Sequence, residues 1–201
     1  MSRTAMTTSV GYTGPVGRER VTPPDAPLLR LEDVRARLRL PHDDEDVQLQ
    51  DFLEAALDDV EAQLGRLLLP QTVRWWYDGL PCADVVLPEP ARAIVAVTTY
   101  ATDDDTTGTV VDAGSYGLDA YRHRLVFTTA PSSGRYWNGV SIEAEVGYAS
   151  AVAVPPALVQ AVYLEIQGHY LRGSEPPGEG TARREAVTRL LAPHRFRMGV
   201  A

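Results

Sequence analysis

No lysine occurs anywhere in this chain of 201 residues; all 19 basic residues are arginine. A nucleophilic or Schiff-base lysine is therefore excluded, and so is a lysine-bearing phosphate loop. Cysteine is almost as scarce. Cys82 stands alone, so the chain has no intrachain disulfide and no multi-cysteine zinc site. Basic charge is in deficit: 27 acids against 19 arginines give a formal net charge of −8. That balance argues against a general nucleic-acid binder that grips by neutralising phosphates. Long apolar runs are missing as well, since Pro155, Pro156 or charges break each one well before about 18 residues. Met1 to Gly17 lacks the apolar centre of a signal peptide. The expectation is a soluble protein with no membrane partner, made in a reducing cytoplasm. The missing lysine has two readings, codon bias from a GC-rich genome or a use specific to arginine.

The apolar fraction of 44% and charged fraction of 23% suffice for one ordinary domain with a core. Residues 1–27 carry Gly11, Gly14, Pro15, Gly17, Pro23, Pro24 and Pro27 with no apolar period, and read as an extended arm that only a partner would order. Leu31 to Leu38 reads as a short helix with Leu31, Val34 and Leu38 on one face, ended by Pro41. A longer helix follows the run Asp43, Asp44, Glu45, Asp46. Its stripe is Leu49, Phe52, Leu53, Ala56, Leu57, Val60 and Leu64, and Gly65 stops it. From Leu67 the pattern turns to β. Strands are expected over Thr72–Asp78, Ala83–Leu87, Ala93–Thr102, His123–Thr129 and Val140–Tyr148, an antiparallel unit of about five or six. Pro155 and Pro156 open a third helix reaching about Arg172. After a Gly/Pro loop, a fourth runs from Thr181, as N-cap, to Leu191.

This order gives an α+β protein, a small bundle of about four helices with an inserted antiparallel β-unit. The expected organisation is an extended arm over 1–27, a domain over 28–192 and a C-terminal tail over 193–201. Within the domain, helices over 30–65 and 155–192 surround a β-unit over 70–148.

Several residues invite a chemical reading. Asp103, Asp105, Thr107 and Gly108 imitate the first half of a calcium loop, but the twelfth position is Gly114, and a solvated turn is the plainer account. Glu165 and His169 share a helix face without the two histidines of a zinc motif. His42, His123 and His194 show no ligand spacing, and no GxSxG elbow anchors a triad. A hydrolase built on paired carboxylates or on an unrecognised triad would need a pocket with shifted titrating groups. Trp75, Trp76, Tyr77 and Trp137 could make a carbohydrate- or ligand-binding platform if exposed together, although adjacent strand residues point to opposite faces. From Asp43 to Glu61 there are nine acids and no base, and one helix bears that repulsion unless arginines on a partner, such as a second copy, relieve it. From Arg183 onward the chain is net +4 through Arg183, Arg184, Arg189, Arg195 and Arg197, and such a tail suits either nucleic acid or an acidic protein surface.

A set of strings in a fixed order carries a family likeness. They are Leu31-Glu32-Asp33-Val34, Leu38-Arg39-Leu40, the acidic run to Asp46, Leu64-Gly65-Arg66, Leu69-Pro70-Gln71-Thr72 and Val146-Gly147-Tyr148. Val154-Pro155-Pro156-Ala157-Leu158, His169-Tyr170 and Leu190 to Arg195 complete it. Over roughly residues 28–197 the chain resembles the head–tail connector, or adaptor, proteins of long-tailed phages and of phage-derived gene transfer agents. The resemblance implies a virion component at the head–tail joint, with no catalysis, no cofactor and no metal. Such proteins form a twelve-fold ring beneath the portal. The ring receives the stopper, or head-completion, protein and the tail, and double-stranded DNA passes its lumen during packaging retention and ejection without sequence-specific binding. Carried onto this chain, Arg195, Phe196, Arg197 and Met198 become the portal-docking tail. In such a ring the acidic helix can meet arginines on a neighbour, with Asp51, Glu54, Asp58 and Asp59 facing Arg35, Arg37 and Arg39; acids that line the lumen instead would keep DNA from sticking. Twelve copies would sum to about −96, a particle that repels DNA rather than gripping it.

Overall fold

The computed structural model describes residues 14–80, 83–171, 176 and 178–195. Among them are strands β1 (Gly17–Thr22), β2 (Gln71–Tyr77), β3 (Asp84–Val86), β4 (Ala91–Thr99), β5 (Thr109–Val110), β6 (Tyr116–Asp119), β7 (Arg124–Phe127) and β8 (Val140–Val146). The helices are α1 (Leu31–Leu38), α2 (Asp46–Leu64), α3 (Pro156–Tyr170) and α4 (Glu179–Leu191). The chain divides into two compact units. One joins the N-terminal residues through Val21 to Thr72–Glu145, and the other joins Thr22–Gln71 to Val146–Ala201. The expected α+β class, with four helices and a β-insertion, is what folds.

The helical unit is built on α2, α3 and α4, with α1 beside α2. The stripe expected on α2 is its buried face: Leu49, Leu53, Ala56, Val60 and Leu64 are at most 4% exposed. They pack with Leu158, Val162 and Ile166 of α3 and Val187 and Leu191 of α4. Chain reversal at the end of α2 depends on Glu61. Its carbonyl accepts the Gly65 N–H, with Gly65 at φ 67°, and the Arg66 N–H. Its buried carboxylate accepts the Leu68 N–H at 2.7 Å. Leu67, Leu68 and Leu69 are thereby turned inward. The Leu68 carbonyl takes the Tyr148 N–H at 2.9 Å, so the exit from α2 is bonded to the entry into α3. Arg66 lies 4.6 Å over the Tyr148 ring and covers that junction.

The β unit holds two sheets. Their orders are β1-β2-β8-β4-β5 and β3-β7-β6. In the smaller sheet all pairs are antiparallel, with Asp119 opposite Arg124 and Arg124 opposite Val86. Arg124 ties its three strands together, bonding Asp119 at 3.0 Å and also Asp84. In the larger sheet β2 buries Gln71, Val73, Trp75 and Tyr77 and leaves Thr72, Arg74 and Trp76 half-buried. Arg74 joins β8 through Glu143 at 2.7 Å and β1 through Glu19 at 3.0 Å. Burial works against the Arg74 charge, but bonds to Glu143 and the charges of Glu143 and Glu19 outweigh it and raise its pKa.

Three expectations are corrected. The segment over 1–27, expected to be ordered only by a partner, is ordered in part within the chain. Residues 17–22 form β1 at the edge of the larger sheet, held by the Val16 N–H on the Trp76 carbonyl and by Arg18 on the buried Glu89 at 3.0 Å. Ladder bonds and ion pairs replace the apolar period that the arm lacks. Residues 1–13 lie outside the described residues. The β-unit has two sheets rather than one set of five or six strands; β5 and β6 are 2 and 4 residues long, too short to show an alternation. Helix α4 begins at Glu179 behind Gly178, at φ 93°, not at a Thr181 cap. A left-handed glycine supplies the turn, and Glu179 puts acid in the first turn.

Gly147 tests the junction. Its φ is 82°, and a Cβ there would lie 2.0 Å from the Leu69 carbonyl oxygen. Gly147→Ala is expected to destabilise the helical unit by more than about 1 kcal/mol, read as a lower urea midpoint at unchanged slope. An unchanged midpoint would show that the junction gives way freely.

Candidate interaction surfaces

The exposed side of α2 is acidic. Gln48, Asp51, Ala55, Asp58 and Ala62 follow one another at helical spacing and are all exposed. Asp51 and Asp58 have no ion pair or hydrogen bond from their side chains among the described residues. Glu54 accepts from the Gln50 amide at 2.8 Å. Asp59 turns toward α3 and meets His169 Nε2 at 3.2 Å, while the His169 ring stacks on Phe52 with centroids 6.0 Å apart. Glu165, the other half of the pair singled out in the sequence, meets Gln63 of α2 at 3.5 Å. Both residues are polar stitching across the α2–α3 seam rather than a metal site.

The arginines assigned to α1 are largely occupied within the chain. Arg35 Nε lies 3.4 Å from Asp46 at the start of α2. Arg37 bonds the Gln160 side chain and lies 4.7 Å over the Tyr163 ring. Arg39 closes α1 in the left-handed conformation, φ 61°, and is exposed. Arg37 and Arg39 line a groove of about 320 Å³ between α1 and α3, with Tyr163 and Tyr170. Its lining among the described residues includes no carboxylate, so these residues offer no paired acid and base. Burial raises the pKa of Tyr163 and of Tyr170, the latter helped by a hydrogen bond to Glu45.

Helix α4 carries both signs, with Glu179 and Glu185 exposed beside its arginines. Arg184 and Arg189 are exposed on it, and Arg195 is exposed just after the short turn Ala192–His194. Of the tail residues singled out, Phe196, Arg197 and Met198 lie outside the described residues.

In the β unit the tryptophans part company. Trp75 is fully buried, Trp76 is half-buried against Tyr100 at 5.5 Å, and Trp137 is 58% exposed, edge-on to Tyr136. A platform shared by the three would need them exposed together, and Trp75 is in the core. The calcium-like segment is a turn. Asp105 Oδ1 accepts the Thr107 and Gly108 N–H groups at 3.1 and 2.9 Å, and Oδ2 accepts the Ala101 N–H at 3.1 Å. Both oxygens serve the backbone, and no cluster of metal-ligating side chains occurs among the described residues. No helix among them is long and apolar enough to cross a membrane.

Comparison with known proteins agrees with the family likeness read from the sequence. The sequence model of the phage gp6-like head-tail connector proteins matches residues 29–107. Among solved structures, a chain in the neck of an empty gene transfer agent particle, computed with C6 symmetry, superposes with a TM-score of 0.74 at 25% identity, covering 92% of this chain and 98% of that one. A chain in the neck of the native particle, computed with C12 symmetry, gives 0.71 at 23% identity with the same coverage. A chain of the native gene transfer agent virion gives 0.70 at 25%, again over 92% and 98%. No curated protein matches the sequence.

The Asp105 turn gives a test with a definite sign. Its carboxyl is held below the ordinary range, chiefly by the Gly108 N–H and then by that of Ala101. A depressed native value makes the turn's contribution fully present above the unfolded value of about 3.9 and lost as pH falls through the native one. Protection of the Thr107 and Gly108 amides, taken relative to the unstructured exchange rate at each pH, is expected to persist at neutral pH, to fall in that acid range, and to be absent at all pH in Asp105→Ala. Added calcium is expected to leave these amides unshifted.

Proposed function

We propose that this chain is a head–tail connector, a structural and non-enzymatic component of the neck of a phage-like particle. The observation that carries the reading is the near end-to-end likeness to a gene transfer agent neck protein, 92% of this chain against 98% of that one at 25% identity. The family match over residues 29–107 supports it independently. In this reading the copies close into a ring, twelve in number, beneath the portal. The other side of the ring receives the stopper and the tail. The protein is made in the host cytoplasm and ends at the head–tail joint of the virion. A ring of identical copies joined head to tail needs two different faces on each copy. Double-stranded DNA passes the lumen without sequence-specific binding, in keeping with the net charge of −8 on each copy.

The segment Pro193 to Ala201 is the portal contact in this proposal, through Arg195, Phe196, Arg197 and Met198. Two of those four side chains are arginines, which suit a carboxylate-bearing surface. The alternative of a carbohydrate-binding module loses its footing with Trp75 buried.

Negative-stain images of the purified chain, or of its complex with the portal, are expected to show rings. Deleting Pro193–Ala201 is expected to abolish co-purification with the portal while rings persist. Portal binding by the truncated chain would overturn the role of the tail, and an arginine-lined bore would overturn the free passage of DNA.

A further inference from the structure

We infer that, within the proposed ring, neighbouring copies join their larger sheets edge to edge: β1 of one copy pairs with the open part of β4 in the next. The inference rests on the ring reading and assigns the two edges that the ring would join. The occupant of each edge is thus a second copy of this chain.

The larger sheet ends at β1 on one side and at β5 on the other. β5 covers little of its neighbour. Strand β4 is nine residues long, and β5 pairs only with Thr98 and Thr99. The Val111 N–H adds one bond, to the Val97 carbonyl. Ala91–Ala96 therefore has no strand beyond it on that side among the described residues. Backbone groups of successive residues turn to alternate sides of a strand. Tyr100 turns its N–H to Gly139, toward β8, and Val97 turns its carbonyl the other way. By that alternation Ala91, Ala93 and Val95 present N–H and C=O to the open side. Ala93 is exposed and Val95 is 52% exposed, so this edge meets solvent in the single chain. An apolar stretch such as Ala93-Ile94-Val95-Ala96 with open backbone groups is a template for strand addition.

Strand β1 matches that edge. It is six residues long, its one neighbour in the sheet is β2, and it is exposed from Arg18 to Thr22. Direction agrees as well. A Cβ on Gly17 would lie 3.8 Å from the Trp76 Cβ, and Glu19 bonds Arg74, so β1 runs antiparallel to β2. Glu143 on Arg74 and the Asn138 N–H on Asp78 make β8 antiparallel to β2. Arg92 on Glu145 and the Tyr100 N–H on Gly139 make β4 antiparallel to β8. β1 and β4 thus run opposite ways, and two copies set side by side meet in an antiparallel ladder. In the register that sets Glu19 opposite Arg92, unlike charges face each other, and Arg18 and Arg20 lie across from the small Ala93 and Ala91. β1 paired with another β1 about Glu19 would instead set Arg18 against Arg20, like charges directly opposite. The free edges of the smaller sheet, β3 and β6, offer only three and four residues. Joining two different edges, one contact per copy, is the heterologous contact that closes a ring.

Proline reads the edge by position. Ala93→Pro removes an N–H that faces the open side and leaves the β8 ladder whole, a placement that edge strands tolerate. Thermal melts followed by circular dichroism verify folding, and association of the full chain is read by sedimentation velocity, alone and with the portal. The wild type is expected to associate, and Ala93→Pro at least about tenfold more weakly, because the incoming strand loses a hydrogen bond and meets the ring. A second measurement does not depend on that variant. Chains carrying Cys82→Ser with Arg20→Cys and Ala93→Cys are treated with a short bismaleimide. Cross-linked ladders of more than two chains are expected on denaturing gels, and either new cysteine alone is expected to give none. Association of folded Ala93→Pro equal to the wild type, or no ladder from chains that associate, would overturn the edge pairing and leave the ring reading standing. Cross-linked dimers from Ala93→Cys alone would overturn it in favour of a two-fold contact between β4 edges. A wild type that stays monomeric in every condition, and with the portal present, would overturn the ring reading itself.

Discussion

The helical unit depends on the buried carboxylate of Glu61. An acid less than a tenth exposed is tolerated only when hydrogen bonds satisfy it. Here the Leu68 N–H does so, just beyond the helix whose last carbonyls need donors of their own. The bond forces the chain to reverse at Gly65 and presents Leu67 to Leu69 to the core. It also places the Leu68 carbonyl where the Tyr148 N–H can reach it, so residues 80 positions apart become neighbours. Without this junction the long β-insertion would separate α2 from α3, and closing so large a loop would have to be offset by side-chain packing alone. With it, the seam of Leu53, Val60, Leu158 and Ile166 can close along its length.

Much of this was legible in the sequence because helices announce themselves by period. The stripe from Leu49 to Leu64, the Gly65 stop and the paired prolines before α3 each have one local cause, and each is where it was expected. The hairpin register, the split into two sheets and β1 were not legible, since their causes are distant. β1 is held by Arg18 on Glu89 and by Glu19 on Arg74, partners that lie 71 and 55 positions away in sequence. A segment with no apolar alternation gives no sign that its charges will be met. The same limit explains the α1 arginines. Spacing placed Arg35 and Arg37 on a helix near an acidic one, but only the packing of α3 reveals that Gln160 and Tyr163 claim Arg37 first.

The absence of lysine takes on a physical sense in this light. Arg74 bridges two carboxylates on two strands while facing the Trp76 ring at 5.7 Å. Arg124 does the same for Asp119 and Asp84 across three strands. Arg37, Arg66 and Arg135 lie over tyrosine rings. Flat stacking and forked bonding are properties of guanidinium, and an ammonium group would give up one or both. Whatever the origin of the missing lysine, these five sites use what only arginine supplies.

The arginines so engaged are removed from the pool that could face outward, and this is what gives the outer surface its polarity. In the helical unit Arg35, Arg37 and Arg66 are committed inward or along the chain, while the acids of α2 that could have met them, Asp51 and Asp58, lie on the opposite side of their helix from the core. The arginines left exposed in the helical unit, among them Arg39, Arg184 and Arg195, are scattered from the end of α1 to α4 and the turn beyond it. Exposed charges of this kind are screened within about 8 Å at physiological salt, so the acidic row of α2 acts only at close range.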